Sequence, residues 1–262
     1  MSKAVSLNYV KQGQGPCLLI CHGLYGSLSN FGGLAKQLEK NYTVVRVDLR
    51  NHGKSPHVLE MSQQAMANDL TLLLDQLGIN KTSVLGHSMG AKVAMTFAQQ
   101  NPLRLDGLVV VDIAPIDYPL DSHSNVFKAL QSVDLLAISS RGEADDALKK
   151  HLNDKSMRQF LLTNLERTPN GYQWRINLDV LISEYSEIAS APPSGPMFNG
   201  PVILIKGSDS TYINDAMLPS IFERFPNCIV NTVNDAGHWL HAEKPTEFFK
   251  LVKDFLNTLH TK

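Results

Sequence analysis

Short apolar runs that are rich in β-branched residues alternate along this chain with longer amphipathic segments. Six runs have this character, at residues 17–21, 42–47, 82–86, 107–112, 202–206 and 228–233. Strands that are apolar on both faces are typical of a parallel sheet covered by helices on both sides. Helical spacing occurs between the runs, as at Leu70, Leu73, Leu74 and Leu77. The pattern predicts an α/β fold with a mostly parallel, doubly wound sheet.

The alternation stops in one stretch of the chain, between about residues 117 and 196, and resumes after a Pro/Gly-rich hinge. Ser140 and Asp154 stand in that stretch where the N-caps of helices are expected. We therefore predict that residues 117–196 form a helical lid, inserted into a core made of residues 1–116 and 197–262.

The charge of the chain bears on its possible binding partners, and its cysteine content bears on its cellular compartment. The chain carries 24 Lys and Arg against 25 Asp and Glu, a formal net charge of -1, which gives no general attraction for a polyanion, so we expect no nucleic-acid partner. Its three cysteines lie in apolar runs, and we find neither a signal-peptide pattern nor a membrane-spanning run. We expect a cytoplasmic protein without a membrane anchor.

The pentapeptide Gly86-His87-Ser88-Met89-Gly90 separates an apolar run from a helical segment. A G-x-S-x-G sequence at a strand-to-helix turn is typical of a nucleophile elbow, in which the glycines relieve crowding and the helix N-terminus favours developing negative charge. The letters alone would occur by chance in about one chain in ten of this length. Their position between a strand and a helix predicts Ser88 as a nucleophile.

A second glycine-bearing turn, His22-Gly23-Leu24-Tyr25-Gly26, follows the first apolar run. Such a turn can direct the Leu24 N–H toward the oxygen that the Met89 N–H would also reach. Two converging donors form an oxyanion hole, and the loss of one typically costs about 100-fold to 1,000-fold in rate. We predict Leu24 and Met89 as the oxyanion donors.

His238 follows the last apolar run, in a loop where catalytic groups of open α/β sheets gather. Gly237 beside it, and the order of Ser88 before His238, favour the role of general base. We interpret His22, His52 and His87 as residues that shape loops, and the following histidines as exposed: His57, His123, His151 and His260.

Two aspartates are candidates for the acid that would orient His238. Asp112 ends the fourth apolar run, and Asp209 lies in the turn after the fifth. Both precede His238 in the chain, so the order Ser, Asp, His holds for either. The sequence leaves the choice between Asp112 and Asp209 open.

Several motifs occur together along nearly the whole chain: GHSMG, HGLYG, DLRNHGKS, DAGHW, VDIAP at 111–115 and HAEKP at 241–245. In these motifs the sequence resembles the α/β-hydrolase fold family, and within it the small bacterial esterases of the YbfF type. The resemblance implies hydrolysis of acyl esters and in some cases acyl-CoA thioesters, with no metal and no organic cofactor.

The resemblance also implies roles for residues. It implies Ser88 as nucleophile and His238 as base, with the same two oxyanion donors. For the acid, the VDIAP motif points to Asp112, whereas the broader superfamily places the acid at the strand end that holds Asp209.

Candidate substrate contacts are residues beside the elbow and aromatic residues of the lid and the loops. They are His22, Gly23, Tyr118, Phe127, Phe160, Trp174, Tyr185, Tyr212 and Trp239.

These features together predict a serine hydrolase that cleaves small-molecule carboxylic esters or acyl thioesters through an acyl-enzyme. A fold and a triad do not define the substrate, so carbon–carbon bond hydrolysis and perhydrolysis are alternatives on the same scaffold. A ligand receptor that has kept a hydrolase fold is the alternative from another class.

Overall fold

The computed structural model describes residues 3–260, which form a seven-stranded sheet and a separate two-stranded hairpin. The strand order in the large sheet is β1-β3-β2-β4-β5-β8-β9, and β6 pairs with β7 in the hairpin. The strands are β1 (Tyr9–Gln12), β2 (Cys17–Cys21), β3 (Thr43–Val47), β4 (Thr82–His87), β5 (Leu105–Val111), β6 (Leu165–Thr168), β7 (Gly171–Trp174), β8 (Val202–Gly207) and β9 (Cys228–Val233).

The strands β2, β3, β4, β5, β8 and β9 are parallel to one another, and they correspond to the six predicted runs. The additional strand β1 pairs antiparallel with β3 at one edge of the sheet. Its sequence, YVKQ, is largely exposed, so it lacks the continuous apolar character by which the other strands were predicted.

Helices cover both faces of the large sheet. Buried residues of α2 and α3 belong to one apolar cluster, and buried residues of α1 and α11 belong to another. No helix within residues 3–260 has the length and apolar character needed to span a membrane. The helices are α1 (Gly32–Leu38), α2 (Gln63–Gln76), α3 (Met89–Gln100), α4 (Ser124–Gln131), α5 (Arg141–Lys149), α6 (Lys155–Leu162), α7 (Leu178–Ser183), α8 (Tyr185–Ala189), α9 (Leu218–Arg224), α10 (Leu240–Glu243) and α11 (Pro245–His260), with short 3-10 helices at Leu28–Phe31, Pro102–Arg104 and Asp215–Met217.

Residues 117–196, here called the insertion, contain α4 to α8 and the hairpin. The Ser140 side chain caps α5 by accepting a hydrogen bond from the Glu143 N–H, and the Asp154 side chain caps α6 in the same way. Both predicted caps are confirmed. The hairpin is an addition to the predicted helices, and its turn places Gly171 at φ 122°, a conformation that suits glycine.

The two ends of the insertion are held together. The Tyr118 N–H donates to the Ala189 carbonyl at 3.0 Å. The buried Lys92 of α3 donates through Nζ to the carbonyls of Ile116, Ala189 and Ser190 at 3.0, 2.7 and 2.6 Å. Burial lowers the pKa of Lys92 to about 7. One side chain of the helix after the elbow thus joins the start of the insertion to its end.

Candidate active site

Ser88 stands between β4 and α3 in a strained backbone conformation, with φ 53° and ψ −120°. A non-glycine residue rarely adopts a positive φ, and such strain is typical of functional sites. A Cβ added at Gly86 would lie 2.3 Å from the Gly90 carbonyl oxygen, and one added at Gly90 would lie 2.4 Å from that of His22. The two glycines of the motif are therefore required by the close packing of the turn.

His238 connects Ser88 to Asp112. Its Nε2 lies 3.0 Å from Ser88 Oγ, and its Nδ1 lies 2.6 Å from Asp112 Oδ2. A carboxylate accepts hydrogen bonds, so Nδ1–H donates to Asp112, and Nε2 is left to accept the hydroxyl proton of Ser88. The arrangement can accept a proton from the serine.

Asp112 is fully buried, and donors surround its carboxylate. Oδ1 accepts a hydrogen bond from the Gly207 N–H at 3.0 Å, and Oδ2 accepts from Ser210 Oγ as well as from His238. A buried carboxylate is stabilised in its charged form by hydrogen bonds of this kind. The site therefore holds an anion directly behind the imidazole.

Asp209, the other candidate acid, lies apart from the imidazole. Its side chain is exposed and accepts a hydrogen bond from Ser208 Oγ at 2.9 Å. Its N–H donates to the Ala236 carbonyl at 2.9 Å, which fixes the turn after β8 with the carboxylate in solvent. The expectation that Asp209 could contact His238 is wrong, because this turn directs the side chain away.

The two predicted oxyanion donors, Leu24 and Met89, both line the cavity next to Ser88. Met89 is the first residue of α3, and the first amides of an α-helix have no acceptor within the helix. The turn that carries Leu24 is closed by a 2.9 Å hydrogen bond from the Gly26 N–H to the Gly23 carbonyl. Both residues therefore lie on the cavity wall beside Ser88.

The space around Ser88 has two lobes, which share Leu24, Ser88, His123 and Tyr212. The first, called the His238 lobe, is lined also by Gly23, Phe160 and Trp239 among others. The second, called the Met89 lobe, is lined by Met89, Tyr118 and Tyr185 among others. Six of the nine predicted substrate contacts, including Tyr212, therefore line one lobe or both.

The other three predicted substrate contacts do not line these lobes. His22 is buried, with Nδ1 2.8 Å from the Gly23 carbonyl and Nε2 accepting from the Leu49 N–H at 3.0 Å, so both ring nitrogens serve the loop. Phe127 packs edge-on against Tyr25 and Tyr185. Trp174, the last residue of β7, is buried in the apolar core. Their assignment as substrate contacts is wrong, because packing already occupies them.

His123, predicted to be exposed, lines both lobes. Its Nδ1 lies 3.2 Å from the Tyr25 hydroxyl, and its Nε2 lies 3.2 Å from the Tyr212 hydroxyl. The Tyr212 ring in turn stacks on the His238 ring, with centroids 3.7 Å apart. The residues next to His123 in the sequence are polar and give no signal of this position, which depends on how the insertion folds over the core.

Two further histidines, His87 and His241, lie close to His238. Burial lowers the pKa of His87 well below its ordinary value and lowers that of His241 to about 4. His87 Nε2 lies 2.9 Å from the His238 carbonyl, and the His241 ring stacks on Phe31 with centroids 4.6 Å apart. These neutral rings shape the site, while His238 contacts the serine.

Comparison with known proteins identifies similar chains. The family model described as the alpha/beta hydrolase fold matches residues 16–245. The sn-1-specific diacylglycerol lipase of Danio rerio is 40% identical, and the alignment covers 96% of this chain and 83% of the relative. Esterase YbfF of Escherichia coli (strain K12) is 36% identical, with 92% of each chain covered.

A solved structure is also closely similar. The structure of a marine microorganism esterase superimposes with a TM-score of 0.94 and 35% sequence identity, covering 96% of this chain and all of that one.

Proposed function

This chain belongs to the α/β-hydrolase fold family, to its esterase and lipase type, and on that premise we propose that it hydrolyses carboxylic esters or acyl thioesters through a triad of Ser88, His238 and Asp112. The observation that carries the proposal is the hydrogen-bonded series from Ser88 Oγ through the imidazole to the buried carboxylate. The strained turn at Ser88 supports it, since strain of this kind is found where a nucleophile is presented.

In the first half of the reaction, Ser88 Oγ attacks the acyl carbonyl carbon while His238 Nε2 takes the hydroxyl proton. The carbonyl electrons move onto the oxygen, which accepts hydrogen bonds from the Leu24 and Met89 N–H groups. Asp112 stabilises the imidazolium that forms. The bond from carbon to the leaving oxygen or sulfur then breaks, and His238 returns the proton to the departing alcohol or thiol.

In the second half, water attacks the acyl-enzyme, and His238 takes one of its protons. The same two amides stabilise the oxyanion, and the bond from carbon to Ser88 Oγ breaks as His238 protonates that oxygen. The products are a carboxylic acid and the free enzyme.

The insertion supplies part of the wall of both lobes, through Phe160 and Tyr185 among others. This supports a division of labour in which residues 1–116 and 197–262 carry the triad and residues 117–196 act as a lid over it.

Replacement of the nucleophile tests the proposal. Ser88→Ala should lower the hydrolysis of p-nitrophenyl butyrate by about 10,000-fold or more, because no covalent intermediate can form. Ser156→Ala, at an exposed serine of α6, is the control and should keep wild-type turnover. A fluorophosphonate probe should label the wild type and the control but not Ser88→Ala. Near-wild-type turnover in Ser88→Ala would refute the assignment.

A further inference from the structure

The peptide that bears the Leu24 N–H is fixed from its carbonyl side. The Gly23 carbonyl accepts a 2.9 Å hydrogen bond from the Gly26 N–H and lies 2.8 Å from His22 Nδ1. In a trans peptide the N–H points away from the carbonyl of the same plane, so the Leu24 N–H points away from both of these partners. Within residues 3–260 no hydrogen bond engages that N–H. It is therefore available to an oxygen beside Ser88.

Tyr25, the residue after Leu24, continues the turn in a strained conformation. It is 1% exposed and has φ 62°, a value that a non-glycine residue rarely adopts. Such a conformation persists only where the surrounding structure holds it. Because the peptide of Tyr25 follows the one that bears the Leu24 N–H, a rotation at Tyr25 would move the predicted oxyanion donor.

The core holds the N–H of Tyr25 through His52. This N–H donates to His52 Nε2 at 3.2 Å, and His52 Nδ1 lies 2.9 Å from the Arg50 carbonyl. A backbone N–H can only donate, so Nε2 accepts, and Nδ1 carries the proton that it donates to Arg50. His52 is fully buried, and both of its ring nitrogens are engaged in fixing main-chain groups.

The insertion holds the carbonyl of Tyr25 through Asn164, which lies between α6 and β6. Asn164 Nδ2 donates to the Tyr25 carbonyl at 2.7 Å and approaches the Leu161 carbonyl at 3.3 Å. Both partners are acceptors, so the amide nitrogen and not the amide oxygen must face them. Asn164 is 2% exposed, so water competes little for this bond. The insertion is thereby connected directly to the turn that carries Leu24.

A second asparagine of the insertion contacts the loop that carries His52. The Asn177 N–H donates to the Asn51 carbonyl at 2.9 Å, and Asn177 Nδ2 donates to Asn51 Oδ1 at 3.1 Å. Asn51 precedes His52 and has φ 63°. The insertion thus supports Tyr25 on both sides, its carbonyl directly and its N–H through the loop of His52.

From these contacts we propose that Asn164 is a positioning residue of the oxyanion hole, through which the insertion fixes the turn that presents the Leu24 N–H. The inference rests on the proposed esterase function, and it gives the insertion a part in the chemical step besides its place in the cavity wall. Asn164 lines neither lobe, so its loss should lower kcat and leave KM nearly unchanged.

Asn164→Ala removes the donor, and Asn153→Ala, at an exposed asparagine of the same insertion, is the control. Both are assayed by hydrolysis of p-nitrophenyl butyrate and by inhibition with a trifluoromethyl ketone, whose carbonyl carbon accepts Ser88 Oγ to form a tetrahedral oxyanion. In Asn164→Ala we expect kcat to fall by about 10-fold to 100-fold, because one oxyanion donor is displaced. KM should stay within about twofold of wild type, and Ki for the ketone should rise by about the factor by which kcat/KM falls. The control should match wild type in all three constants.

The inhibition constant separates positioning from a loss of folded protein. Ki is a property of the active molecules alone, so a partly unfolded variant would lose kcat and keep the wild-type Ki. That result, an unchanged kcat, or a higher KM at unchanged kcat would each overturn the assignment.

If Asn164→Ala does not fold, Asn164→Ser should show the same pattern of kcat, KM and Ki. Failure of both variants to fold would mean that Asn164 serves the fold and not the turn, and the assignment would be wrong. A wild-type protein that hydrolyses no ester and is not inhibited by the ketone would instead contradict the proposed function, so the two failures are distinguishable.

Discussion

At the residue scale, the strained conformation of Asp112 aligns its carboxylate with the imidazole. Asp112 has φ 54°, and its N–H donates to the Ile205 carbonyl at 3.0 Å. This anchors the residue to the neighbouring strand β8, whose last residue, Gly207, donates to the carboxylate. The anion and the strand that holds it therefore form one rigid unit, and rigidity is what orients a catalytic base.

Asparagine substitutions separate the two candidate acids. Asp112→Asn should lower kcat by about 10,000-fold, because the amide cannot stabilise the imidazolium and favours the wrong tautomer of His238. Asp209→Asn is the matched control, and it should stay within about twofold of wild type because its side chain is exposed. Steady-state kinetics on one p-nitrophenyl ester checks both. Comparable losses in the two variants would contradict the triad.

These residues also show what local sequence can and cannot reveal about a site. Ser88 lies in a motif whose neighbours, Gly86 and Gly90, are required by the close packing of the same turn. The acid has no such local signal, because its function depends on contact across strands. His123 has no local signal either, since its contacts with Tyr25 and Tyr212 span 98 and 89 residues of the sequence.

At the scale of elements, the active site depends on how closely α3 approaches the loop after β2. A Cβ at Gly90 would lie 2.4 Å from the His22 carbonyl oxygen and 2.6 Å from that of Cys21. These are main-chain atoms, which cannot rotate away as a side chain could. The two elements that carry Leu24 and Met89 are therefore in direct backbone contact.

A glycine-to-alanine pair tests this contact. Gly90→Ala should push α3 away from the β2 loop, lower kcat/KM by about 100-fold or more through the displaced oxyanion donors, and lower the free energy of unfolding by about 1–3 kcal/mol. Gly33→Ala is the control, because α1 has nothing within 4 Å of the added methyl group. It should keep full activity and raise the free energy of unfolding by about 1 kcal/mol or less. Urea titration and ester kinetics measure both, and full activity in Gly90→Ala would exclude the tight contact.

Element prediction succeeded where burial leaves a pattern in the sequence. The central strands β2, β4 and β5 are buried along nearly their whole length, as in CLLIC of β2, so their sequences cannot be confused with loops. The edge strand β1 lacks an apolar pattern, because most of its residues are exposed to solvent. The hairpin in the insertion is likewise short and half-exposed, so its sequence carries little information about strand pairing.

At the scale of the whole molecule, burial keeps a group of histidines neutral around the active-site edge of the sheet. The pKa is lowered by burial in each, to about 3 in His52 and to about 4 in both His123 and His241. His22 and His87 shift in the same direction. Protonation of these rings therefore opposes the folded state.

Acid should consequently destabilise the protein. Below the ordinary histidine pKa of 6.5 the unfolded chain takes up protons that the folded chain refuses, so the free energy of unfolding falls as the pH drops. Each such histidine contributes up to about 1.4 kcal/mol per pH unit between about pH 6 and pH 4, and none above about pH 7.5. Urea unfolding at a series of pH values measures the slope.

His241→Phe isolates one member of the group and preserves the stack on Phe31. The slope of its free energy of unfolding against pH should be smaller than that of wild type by up to about 1.4 kcal/mol per pH unit in the same pH range, which corresponds to the uptake of one proton. Equal slopes in the two proteins would show that His241 is protonated in the folded state.

The hydrogen bonds that Lys92 donates to carbonyls at both ends of the insertion have a consequence for how such enzymes diversify. Because the insertion leaves and rejoins the core at adjoining points, bridged by Tyr118 and Ala189, it can be replaced as a single cassette. Lys92 contacts main-chain carbonyls there, and its Nζ also lies 4.7 Å from the centre of the Tyr118 ring, so a replacement segment would have to keep an aromatic side chain at that position. A replacement segment that keeps these three carbonyls could change the substrate preference while the triad of the core stays the same.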